Sequence, residues 1–122
     1  MLIYPAEIEA NLVLPTIRKE FCKAAVALGA KQKDIAKLLG ITEAAASQYL
    51  KGKRGADLKF DADFRQKIKD IVKSVLNGKT GGFEAVQTLS TEFRLSGRLC
   101  SLHHKTGGIE PKTCGLVNVC LK

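Results

Sequence analysis

Apolar residues recur along this chain at helical spacing, and glycine, proline and capping residues divide the pattern into segments. From Pro5 to Leu14 the spacing of Ile8, Leu12 and Val13 predicts a helix, with Pro5 acceptable in its first turn. Pro15 is expected to kink or restart it. The stretch "TIRKEFCKAAVALG" then places Ile17, Phe21, Ala24, Ala25 and Leu28 on one face and stops at Gly29. Ile35, Ala36, Leu38 and Leu39 supply the apolar side of a short helix closed by Gly40, and Thr42 is placed to cap the next one, "EAAASQYL". Asp61 or Asp63 can cap a longer helix with Phe64, Ile68, Ile71, Val72 and Val75 inside, closed by Asn77 and Gly78. "GKTGG" predicts a flexible connection. A last helix, "FEAVQTLSTEFRLSGRLC", carries Phe83, Val86, Leu89, Phe93 and Leu95. From about Lys105 helical periodicity is lost.

This pattern predicts an all-α fold: a compact helical bundle containing a helix-turn-helix, with a loop-rich Cys/His tail at the carboxy terminus. Two parts are expected, residues 1–78 as a helix-turn-helix unit and 79–122 as a helix plus tail. A length of 122 residues suits one core with an appendage. No apolar run reaches the ~18 residues of a membrane span. "MLIYPAEIEANLVLP" lacks a basic leader and a small-residue cleavage site, so a cytoplasmic location is expected.

Charge narrows the partners. Lysine and arginine number 20 against 12 acids, a formal +8. Such a field attracts polyanions, and nucleic acid is the first to consider. The competing explanation is a basic surface kept for solubility, so a motif has to decide between them.

Two short helices joined by a tight glycine-containing turn, residues 31–55, form a helix-turn-helix candidate. Alanines near the start of the second helix leave little bulk, which lets its backbone approach a groove and its methyls meet thymine methyls. Alanine is also the best helix former, which alone would explain them. The surrounding positions tip the balance. Gln32 opens the first helix, Ala36 sits where the two helices touch, Gly40 makes the turn, Ala46 faces inward, and "KGKRG" follows. Over about residues 16 to 60 the chain resembles the helix-turn-helix of phage-repressor-like, or XRE-type, transcription regulators. The resemblance implies that Glu43, Ala44, Ala45 and Gln48 read bases, Gln48 being able to hold adenine bidentately and Glu43 to accept from cytosine. It also places Gln32, Thr42, Ser47, Lys51, Lys53 and Arg54 at phosphates, where contacts set register and affinity. The order of segments is similar to that of a group of archaeal regulators with a Cys/His tail, which implies a sensor coupled to a repressor.

Three of the four cysteines and both histidines lie between residues 98 and 120. Cys100 and His104 are four apart, hence on one face of a helix that extends so far, and Cys100 with His103 would serve almost as well. Cys114 and Cys120 follow in a loop. Three thiolates and an imidazole form an accepted structural zinc set. The five residues between Cys114 and Cys120 are wider than zinc-ribbon spacing and compatible with an iron–sulfur cluster. A reversible disulfide among these thiols, or no chemistry at all, stays open. Cys22, on an apolar face, reads as a small buried hydrophobe.

The expected function is a sequence-specific DNA-binding transcription regulator, a repressor acting as a homodimer on double-stranded DNA, with a metal- or redox-responsive tail. Two other classes compete. An enzyme built on the tail would need a nucleophile, a base and an orienting acid together, and the tail's only acid is Glu110. An antitoxin-like autorepressor would use the same helix-turn-helix but carry a charged, disordered partner-binding segment in place of a cysteine-rich one.

Overall fold

The computed structural model describes residues 4–52 and 58–106. Every regular element among them is helical: α1 (Pro5–Ile8), a π-helical segment (Glu9–Val13), α2 (Leu14–Ala27), α3 (Gln32–Leu39), α4 (Glu43–Leu50), α5 (Ala62–Leu76), α6 (Gly82–Leu95) and α7 (Arg98–Thr106). The expected all-α bundle is what the chain forms. No helix among the described residues is long and apolar enough to cross a membrane.

Pro15 lies where a new α-helix begins, directly after the π-helical segment. The proline has no N–H to give and sits in the first turn of α2, where none is needed. The wider π turn before it carries the chain through without interruption. Val13 and Ile17 stay fully buried on either side. α2 then forms the axis of the bundle, packing against α3, α4, α5 and α6 through Ile17, Phe21 and Ala25. Cys22 is fully buried in the same core, and desolvation pushes its thiol up to about 11. It is a packed hydrophobe at neutral pH.

A single hydrophobic cluster runs from Ile8 through Phe64, Ile68 and Val72 to Leu89, Phe93 and Leu99. Residues on both sides of position 78 contribute to this cluster, in keeping with one core. Phe60, Phe64 and Phe93 meet edge to face, with centroids 4.7, 5.5 and 5.4 Å apart, and lock α5 to α6. Asp61 fastens the start of this unit. One carboxylate oxygen accepts from the Phe64 N–H at 2.8 Å, and the two oxygens together accept from Arg98 Nε and Nη2 at 2.7 and 3.1 Å. Arg98 also lies 5.2 Å from the Phe64 ring centroid. The same residue that caps α5 thus anchors the start of α7.

Three expectations are corrected. The long last helix is two helices, because Gly97 adopts φ +86° after Ser96 and lets the chain turn into α7. Phe83 lies outside the core, 76% exposed: Val86, Leu89 and Phe93 turn inward as expected, but Gly82 and Ala85 fill the inner side at the start of α6. "GKTGG" is a tight connection: Gly78 closes α5 at φ +77°, and a Cβ on Gly82 would overlap the Leu38 carbonyl. Glycine is required at 82 because two backbones meet there.

Candidate nucleic-acid interface

Glycine geometry and hydrogen bonds at the turn fix how the two short helices meet. Gly40 ends α3 at φ +66° and ψ +32°, the left-handed conformation that turns the chain within three residues. Thr42 caps α4, its Oγ1 accepting from the Ala45 N–H at 3.0 Å. Gln32, the first residue of α3, donates through Nε2 to the carbonyl of Glu43, the first residue of α4, at 3.1 Å. That bond ties the two helix starts together. Glu43 favours the start of α4, where its charge meets the positive end of the helix dipole.

α4 is eight residues long and divides cleanly into two sides. Ala45, Ala46 and Tyr49 turn inward, at 6%, 0% and 3% exposure. Glu43, Ala44, Gln48 and Lys51 are exposed and Ser47 half-buried. Ala44, Gln48 and Lys51 follow at four and three residues, one stripe along the helix. The small inward alanines let α4 lie close to α2 and α3.

Most of the expected base-reading residues therefore share one exposed face: Glu43, Ala44 and Gln48. Ala45 does not belong to it, because helical geometry turns its methyl into the core. Gln32, Thr42, Ser47 and Lys51 border the same face, although Gln32 and Thr42 also spend polar atoms on holding the helices. Lys53 and Arg54 lie outside the described residues. Sequence reasoning passed over Lys31 and Lys33, both exposed beside Gln32 at the start of α3; their spacing around that residue was the available signal.

The tail is reached only in part. Cys100 and His104 both lie on α7, one turn apart as expected, and Cys100 is half-buried. His103 is 1% exposed and belongs to the interior. Cys114 and Cys120 lie outside the described residues, and among those described no group of three or more His, Cys, Asp or Glu side chains could hold a metal ion.

Comparison with known proteins adds no relative: no protein-family model, curated protein or solved structure matches the chain.

Proposed function

We propose that this protein is a sequence-specific, double-stranded-DNA-binding transcription regulator, a repressor acting as a homodimer, with the outward side of α4 as its reading surface. The observation that carries this is the division of α4. Its inner side is fixed by Ala45, Ala46, Tyr49 and the Thr42 cap, while Glu43, Ala44 and Gln48 stand exposed on a rigid mount. A narrow helix with a bulk-free methyl beside an amide and a carboxylate has what a major groove reads: shape, a bidentate adenine partner and an acceptor for cytosine. Lys31, Lys33 and Lys51 flank it for phosphates. A dimer follows from reach, because one eight-residue helix covers few base pairs and two half-sites multiply specificity.

The thiols beyond α7 complete the proposal as a responsive end. Cys100 and His104 would supply one side of a zinc or iron–sulfur site, with Cys114 and Cys120 as the other donors, or the thiols alone would answer to redox state.

Selection of bound duplexes from a random-sequence pool tests the function. Enrichment of a two-fold-symmetric motif, its half-sites about one helical turn apart, is expected. A bound pool with no sequence bias would contradict it.

A further inference from the structure

Two cationic stripes face each other across a groove on the side of the bundle. Lys19 and Lys23 stand one turn apart on α2, and Arg65 and Lys69 one turn apart on α5. They line two adjoining cavities of about 510 and 470 Å³ that share Glu20 and Arg65, with Lys59 in the second. Each volume is in the range of small-molecule sites. Five cations and one carboxylate leave this trough at +4, half of the chain's formal +8. The ion pairs among the described residues lie elsewhere, Lys67 with Glu92 and Arg98 with Asp61, so they do not neutralise the groove. Like charges gathered this way repel one another, and an anion between them would relieve that cost.

Glu20 decides which anion fits. It is half-buried and lines both cavities together with the cations. An ionised carboxylate only accepts hydrogen bonds, so it repels a bare polyphosphate and favours a ligand that also carries hydroxyl or amine donors. Ala24, Ala27 and Ala62 add small apolar lining, against which the apolar face of a base can lie. We infer that the α2–α5 groove binds a nucleoside polyphosphate, its phosphates along Lys23, Arg65 and Lys69 and a donor of its nucleoside at Glu20. α2 also packs directly against α3 and α4, so an occupant touches the helix on which the exposed α4 face is mounted. An effect of the ligand on DNA affinity rests on the function proposed above; the binding itself does not.

Isothermal titration of the full chain, without DNA and without divalent cations, tests this with ATP, inorganic tripolyphosphate and adenosine as probes. ATP is expected to saturate a single site, tripolyphosphate to bind more weakly and adenosine not to bind. Arg65→Ala and Lys23→Ala should each weaken ATP about tenfold or more, the loss of a charge-assisted contact, while Gln48→Ala leaves it unchanged. Glu20→Ala should tighten tripolyphosphate and narrow the preference for ATP. Thermal melts by circular dichroism check that these surface variants fold. Absence of saturable ATP binding, equal affinity for ATP and tripolyphosphate, or indifference to Arg65→Ala would overturn the proposal. Loss of duplex binding in Arg65→Ala, from a wild type that ignores ATP, would reassign the groove to the DNA backbone.

Discussion

The outward face of α4 and the aromatic junction of α5, α6 and α7 are built on opposite plans. At the junction, Phe60, Phe64 and Phe93 interlock, and Asp61 serves as cap and ion-pair partner at once. Nearly every group there is committed to another part of the molecule. On α4 the inner side is Ala45, Ala46 and Tyr49, while the side chains of Ala44 and Gln48 face outward, Ala44 offering only a methyl. The groups that lock the junction and the side chains exposed on α4 are thus different residues, and Ala44 or Gln48 can be changed without touching the junction.

The largest effect should come from opening the junction. Phe64 is fully buried between two aromatic neighbours, and Phe64→Ala should cost about 3–5 kcal/mol of unfolding free energy in a denaturant titration. A cost under about 1 kcal/mol would mean that the junction is not the keystone. The helix mount comes next. Thr42→Ala removes the cap of α4 and should cost about 1 kcal/mol, with Thr42→Ser restoring most of it.

Acid probes the junction more gently. The Arg98 guanidinium, followed by the Phe64 N–H, holds the Asp61 carboxyl down at about 2, against an ordinary 3.8. A lowered pKa stabilises the fold above the ordinary value and is lost as pH falls from there toward 2. Acid unfolding followed by circular dichroism should therefore show a contribution between these values that Arg98→Ala removes. A wild-type profile in that variant would remove the ion pair from the account.

Much of the fold was legible because helical spacing and capping chemistry act locally. Thr42, Gly40, Asp61, Gly29 and Gly78 each end or begin a helix where the sequence suggests. The failures share a cause, namely that tertiary contact decides them. Gly82 looks like linker composition, yet it is the point where α6 meets the α3 backbone. Phe83 fits an inner stripe, and Val86, Leu89 and Phe93 do turn inward, but at the start of α6 the buried positions are Gly82 and Ala85 and Phe83 is left outside. Ala45 and Ala44 are the same residue type, and only the packing of α4 tells inside from outside. The groove between α2 and α5 was hidden because its two cationic pairs lie 46 residues apart in sequence. Each pair alone looks like an ordinary solvated face.

The smallest structural effect should accompany the largest functional one. Gln48→Ala should leave unfolding free energy within about 0.5 kcal/mol of wild type. Binding of that variant to the selected duplex and to a scrambled one, at matched salt, tests the central claim most directly. A loss of about 1–3 kcal/mol on the selected duplex, with scrambled binding unchanged, is the result predicted for base readout by α4. Equal affinity of wild type and variant for the selected duplex, or equal loss on both duplexes, would contradict it.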